Sequence, residues 1–250
     1  MSYVLGFDTK TESDKEFEIE GIPCVMNKAH ELARKIDPKV NVMLWADMLD
    51  SYFMANWSGV LDEKQLDALY QQNVIARDIL MMPWEYTGWA HSKKRGLQYM
   101  MSKGFPVVGA AGFKFDNNML WGQVSRQLQT TRNEVKGILF TTWDSKQFEQ
   151  WKEGLEAHAM MSWSPHRLQL DTCYELLQAV DQYGLARDEP AALPIELATR
   201  RHWQSLHARA MRDLKALDPA WIDRVQGLKD LQARIEALGP RIDAMKVIDE

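Results

Sequence analysis

Val42-Met43-Leu44-Trp45-Ala46-Asp47 is a short apolar run that ends in a tryptophan beside an acid. The pattern returns as Ile79-Leu80-Met81-Met82-Pro83-Trp84-Glu85-Tyr86 and as Gly137-Ile138-Leu139-Phe140-Thr141-Thr142-Trp143-Asp144. A further run, Tyr3-Val4-Leu5-Gly6-Phe7-Asp8, ends in an acid without the ring. Unbroken apolar runs of this length are the signature of strands buried on both faces, as in a parallel sheet. Parallel strands all end on the same side, so their terminal rings and carboxylates collect at one mouth. Such a mouth suits a sugar. The apolar face of a pyranose stacks on indole, and carboxylates bind hydroxyls or act at the glycosidic bond.

Outward from these runs, helix signals fill the gaps. A helix is predicted from about Pro23, where proline suits the first turn, to Asp37-Pro38, where the residue before proline resists helical geometry. Others are predicted near 62–72, over 91–102 with Gly104 as terminator, and over 117–131. With strands at 3–8, 40–46, 78–84, 105–111 and 136–142, the chain reads as five βα units of about 30 residues each, joined by right-handed crossovers. After Trp151 the strand signals stop. Leu168, Leu176, Leu177 and Val180 mark one amphipathic helix, and the stretch 187–194, with Pro190 and Pro194, reads as a linker. Ile195 to Leu217 reads as a second helix. Trp221, Val225, Leu228, Leu231, Ile235 and Leu238 form the apolar stripe of a third, stopped by Gly239-Pro240. The expected layout is an α/β domain over 1–160 and a helical region over 161–250.

Composition narrows the class. The 250 residues are 46% hydrophobic and 26% charged, ordinary for a folded protein. A net charge of -5 offers no basic stripe to neutralise phosphates, so no nucleic-acid partner is expected. No segment reaches the roughly 18 apolar residues of a membrane span, and no membrane partner is expected. The first apolar run is short and meets Asp8 at once, which is not a signal peptide, so the expectation is cytoplasmic. Cys24 and Cys173 lack metal spacing and read by default as free buried thiols, with one disulfide between them as the alternative. The six histidines are scattered, with His202 and His207 five apart, and read as surface residues. With neither a phosphate-binding glycine loop nor a nucleophile elbow, no cofactor and no metal are expected.

The strand ends, taken in order, resemble the second half of the barrel of glycoside hydrolase family 20, the β-N-acetylhexosaminidases. Met43-Leu44-Trp45-Ala46-Asp47-Met48 resembles that family's fifth strand, where a tryptophan and an acid face the sugar. Pro83-Trp84-Glu85-Tyr86 resembles the sixth, Gly104-Phe105-Pro106-Val107-Val108 the seventh, and Gly137 to Trp143 the eighth. The resemblance spans about residues 3–145. It implies a partial (β/α)8 TIM-type barrel holding strands four to eight, and substrate-assisted retaining hydrolysis of a terminal β-linked N-acetylhexosamine. Asp8 then matches the aspartate that orients the substrate acetamide, while Trp45, Asp47, Trp84, Tyr86, Trp143 and Asp144 line the sugar pocket.

Two departures accompany the match. Thr9 stands where the family carries the glutamate that protonates the leaving oxygen, and a hydroxyl does not titrate near neutral pH. Loss of general-acid help forfeits about 10²–10⁴ in rate. Glu12, three residues on, is the nearest substitute. Strands one to three are also missing, although a complete barrel takes about 250 residues. Non-catalytic carbohydrate binding therefore stands beside hydrolysis, as does a barrel half closed by homodimerisation or by a separate N-terminal half. Three smaller expectations complete the reading. Strand alternation turns Glu85 away from Trp84 and Tyr86, as a structural partner. Asp116-Asn117-Asn118 is expected to cap the helix it opens, with binding of sugar hydroxyls as the alternative. Met100-Met101 and Met160-Met161 fill core.

Overall fold

A computed structural model describes residues 21–50, 63–71, 75–87, 89–129, 134–142, 148–163, 170–183 and 195–248. The chain divides into two compact units, one of Met1–Ala111 with Val124–Leu139, the other of Gly112–Gln123 with Phe140–Glu250. The predicted strand 3–8 and the linker 187–194 lie outside the described residues.

The first unit is built from βα repeats. Helix α1 (Ile22–Ile36) carries proline in its first turn and ends where Asp37 turns extended before Pro38, as predicted. Strand β1 (Met43–Trp45) runs into a 3-10 turn (Asp47–Leu49), and α2 (Glu63–Gln71) follows. Next come β2 (Leu80–Met82), α3 (Ala90–Ser102) and β3 (Val107–Ala111). Gly104 sits between α3 and β3 at φ 85°, in the left-handed region that glycine enters without strain. Helix α4 (Phe115–Gln129) and strand β4 (Val135–Phe140) complete the series, the division between the units falling after Gln123 within α4 and after Leu139 within β4. The class is α/β, with one four-stranded parallel sheet in the order β1-β2-β3-β4. Four of the five predicted strands thus occur in the predicted order.

Register places the strand ends. Met43, Leu44 and Trp45 pair with Leu80, Met81 and Met82. Met81 pairs with Val107, and a bridge between Trp84 and Ala110 extends the ladder. The two faces of the sheet differ. On one, Pro83 lies beneath Gly96 of α3, where an added Cβ would stand 3.4 Å from the Pro83 Cβ. Fully buried Leu97, Met100 and Phe105 continue that helix-covered layer. On the other, Met82, Val108 and Ala110 form a cluster against which half-buried Trp45, Leu80, Trp84 and Leu139 pack, all from strands or strand ends.

The outer helices are tied to the loops between strands. Asp78, just before β2, accepts from Arg34 at 2.9 Å and pairs with His30 at 3.0 Å, both on α1. Asn27 of α1 accepts from the Ala76 backbone N–H. The Arg77 guanidinium lies 4.6 Å from the Phe105 ring centroid and donates to the Tyr70 and Lys103 carbonyls.

In the second unit, α5 (Phe148–Trp163) is followed by α6 (Asp171–Gln182), where Leu176, Leu177 and Val180 are buried as predicted. Four expectations are corrected here. Strand signals do not stop at Trp151: β5 (Ile195–Glu196) pairs in parallel with β6 (Val247–Ile248). The helix expected over 195–217 is α7 (Leu197–Lys215), because its first two residues join that long-range ladder, which local periodicity cannot reveal. The last stripe is split between α8 (Pro219–Arg224) and α9 (Gln226–Asp243), broken at extended Val225. Nor does Gly239-Pro240 end α9, which continues to Asp243. Proline there removes one N–H near the terminus, and the Ala244 N–H still reaches the Pro240 carbonyl at 3.0 Å. Among the described residues no helix is long and apolar enough to cross a membrane.

Candidate functional site

The site grows from parity along β1 and β2. Trp45 is level with Met82, and Trp84 lies two residues beyond it, roughly 6.6 Å further along the strand. Side chains two apart share a face, so both indoles reach the Met82–Val108–Ala110 cluster on the strand-lined side. Tyr86, two residues further, stacks on Trp84 with centroids 4.9 Å apart and planes at 28°. Trp45, Trp84 and Tyr86 are all half-buried, so each keeps part of its surface in solvent. The sequence predicted these rings together, and the structure brings them together on the C-terminal side of adjacent parallel strands.

The acids behave differently. Asp47, half-buried, opens the 3-10 turn directly after β1. The Glu85 carboxylate faces its own turn, where Oε1 accepts from the Thr87 backbone N–H at 2.8 Å and from the Thr87 hydroxyl at 2.9 Å. That is the structural role alternation predicted. Asp8, Glu12, Trp143 and Asp144 lie outside the described residues.

Sequence reasoning missed two buried charges at this mouth. Asp50 is almost wholly buried and lies 3.6 Å from the guanidinium of Arg95. Lys93 is fully buried, and its ammonium donates to the Thr87 carbonyl at 2.8 Å. Burial pulls the Lys93 ammonium down to about 8, with the Glu85 carboxylate opposing the shift. In the sequence, Lys93-Lys94-Arg95 resembles a solvated helix face. The signal that could have found Lys93 is spacing. It shares the buried stripe of α3 with Gly96, Leu97 and Met100, at i, i+3, i+4 and i+7.

The second unit holds a polar cluster of another kind. Tyr174 of α6 donates to Asp116 Oδ1 at 2.9 Å, and Arg234 of α9 donates to Asp116 Oδ2 at 2.5 Å. Burial, then the Asp116 charge, raises the Tyr174 phenol well above its ordinary range. Asn117 accepts from the Gly112 N–H, and Asn118 donates to the Gly112 and Lys114 carbonyls at 2.6 and 3.0 Å. The expected capping is corrected: the Asp-Asn-Asn segment lies within the first turn of α4, where Asn117 and Asn118 bond to the loop before the helix and Asp116 to α6 and α9.

The histidine and cysteine expectations need correction. His30, His158 and His207 are half-buried rather than surface residues. His30 pairs with Asp78, His158 meets the Asn118 amide oxygen at 3.2 Å, and His207 meets the Ile235 carbonyl at 3.0 Å. Burial lowers the His158 imidazolium below its ordinary range. Helix packing, which single-sequence spacing does not report, encloses these rings. Both thiols are free, but Cys24 is exposed, and only Cys173 is buried, its thiol pushed up to about 12. Among the described residues no group of three His, Cys, Asp or Glu side chains could hold a metal ion.

No protein-family model matches the chain, and no curated protein matches its sequence at a significant level.

Proposed function

We propose that the strand-end surface of the first unit binds carbohydrate, as the sugar pocket of a family 20-like glycoside hydrolase acting on terminal β-linked N-acetylhexosamine. The observation that carries this reading is the Trp84–Tyr86 stack beside Trp45, half-buried on the C-terminal side of neighbouring parallel strands. The barrel part of the reading draws support from strand order. A doubly wound sheet reverses direction at a switch point, whereas β1 to β4 run in sequence, the order along an arc of a barrel. The strand-derived cluster of Met82, Val108 and Ala110 points the same way, because a barrel interior is filled by strand side chains.

On this reading Asp8 orients and polarises the substrate acetamide. The acetamide oxygen attacks the anomeric carbon as the glycosidic C–O bond breaks, and Glu12 protonates the leaving oxygen. Water then opens the cyclic intermediate with retention, one of the exceptions to the two-carboxylate scheme. Carbohydrate binding without turnover is the second reading, favoured by Thr9 at the position of the usual acid.

A chromogenic N-acetyl-β-glucosaminide tests hydrolysis, because an activated leaving group needs little acid help. Turnover that Asp8→Asn abolishes supports the hydrolase. Saturable N-acetylglucosamine binding without turnover, weakened by Trp84→Ala, supports the second reading. Folded protein that neither binds millimolar N-acetylglucosamine nor turns over the substrate rules out both.

A further inference from the structure

A fully buried lysine lies directly against the turn that carries the stacked rings. Lys93 starts one helical turn into α3, on the stripe that faces the sheet. Its ammonium donates to the carbonyl of Thr87, and Thr87 in turn donates through N–H and hydroxyl to the Glu85 carboxylate. Tyr86 sits between these two residues, and Trp84 precedes them. One amine thus anchors a chain of hydrogen bonds that runs through the turn beside both rings.

Among the described residues, the Glu85 carboxylate, in the turn after β2, acts on the Lys93 charge. Asp50, after β1, is held by Arg95 near Gly96, about one turn along α3. Toward the far end of α3 stand Tyr99 and Lys103, with Asp67 and Tyr70 of α2 against them. Strand β3, Val-Val-Gly-Ala-Ala, contributes no titratable side chain.

We infer that Lys93 is a positioning residue for the Trp84–Tyr86 surface, its buried ammonium holding the 85–87 turn so that the ring pair is presented to ligand. An ammonium donates to Thr87 and attracts the Glu85 carboxylate, whereas a neutral amine loses the attraction and weakens the bond. Because burial brings the Lys93 proton equilibrium to about 8, the turn loosens across mildly alkaline pH. For the ligand, the inference rests on the carbohydrate reading. For the effect on the rings, it does not. If only the ammonium form presents the rings, the binding-competent fraction falls about tenfold between pH 7 and pH 9, and affinity falls with it.

The test is a pH titration of the intact chain by NMR, following the Trp84 indole N–H, assigned with Trp84→Phe. The wild type is expected to shift with a midpoint near pH 8, and Lys93→Met to remove the transition. Lys93→Arg, which stays charged, should hold the resonance at its acidic-limit position. A folded wild type whose Trp84 resonance does not move between pH 7 and pH 9 overturns the inference, as does a transition that persists in Lys93→Met. N-acetylglucosamine affinity at pH 7 and pH 9 then separates the two claims. A titrating Trp84 without sugar binding keeps the positioning role and removes the carbohydrate reading. Sugar binding of equal affinity at both pH values, with a static Trp84, does the reverse.

Discussion

The two units use polar clusters built on one buried group, Lys93 in the first and Tyr174 in the second, in opposite ways. In the second unit Asp116, Tyr174 and Arg234 come from three helices, and the phenol and guanidinium both donate to the Asp116 carboxylate. In the first, Lys93 and Glu85 both bond to Thr87, in the turn next to rings that stay partly in solvent. The first arrangement ties helices together, and its value is stability. The second holds a turn, at a cost that burial of the Lys93 ammonium makes explicit. A polar cluster is therefore read by what it leaves at the surface, and among the described residues the stacked, half-buried pair belongs to the first unit.

If that contrast is right, substitutions in the second unit should change stability and leave ligand binding alone. Gly154→Ala should have the largest effect, because its Cβ would lie 1.9 Å from the Phe113 carbonyl oxygen, a backbone atom with little room to yield. Overpacking of this kind costs about 3 kcal/mol. The thermal midpoint of the second unit should fall by roughly 6–12 °C in calorimetry. An unchanged midpoint would show that the α5 backbone moves freely away from Phe113.

Trp84→Ala should do the reverse. Loss of a central aromatic anchor removes about 2 kcal/mol of binding, roughly 30-fold in affinity for N-acetylglucosamine by calorimetric titration. Its cost to the melting midpoint should be smaller than that of Gly154→Ala, since the ring is only half-buried.

Lys93→Met sharpens the comparison by separating stability from presentation. The Lys93 equilibrium moves from 10.5 to about 8, which corresponds to about 3 kcal/mol against the folded state wherever lysine is charged in both states. The sign follows from proton counts. Between pH 8 and 10.5 the unfolded chain binds more protons at this site, so wild-type stability from this group rises over that window. Below pH 8 the penalty is complete. Lys93→Met should therefore stabilise the first unit at pH 7 by about 2 kcal/mol, after the lost Thr87 hydrogen bond is subtracted. Urea melts at pH 7 and pH 10 should show that advantage shrinking at the higher pH. Arg234→Ala should have the smallest effect, about 0.5 kcal/mol and reduced by salt, because both partners of this ion pair are partly exposed. A loss of several kcal/mol in a denaturant melt would mean that Asp116 depends on Arg234 more than its exposure implies.

The strands were legible because each is a continuous apolar run; Trp45, Trp84 and Tyr86 could be placed at one mouth as strand ends, whereas the register that sets Trp45 on the face of Trp84 came from the sheet. Helix α1 was legible at both ends, since Pro23 and Asp37-Pro38 act locally. The β5–β6 pairing was not, because Ile195 and Val247 are far apart in the chain and a two-residue strand has no periodicity. Lys93 was hidden by its neighbours Lys94 and Arg95, which are exposed, while the sheet beneath α3 encloses Lys93. Sequence by itself determined the parallel α/β order and the ring-bearing strand ends, since local periodicity and proline geometry operate within a few residues. Only tertiary structure decided that Trp84 stacks on Tyr86, that Glu85 turns to Thr87, and that an ammonium is sealed behind them. Those facts depend on which segments meet across the sheet, and desolvation and directional hydrogen bonds act only once they have met.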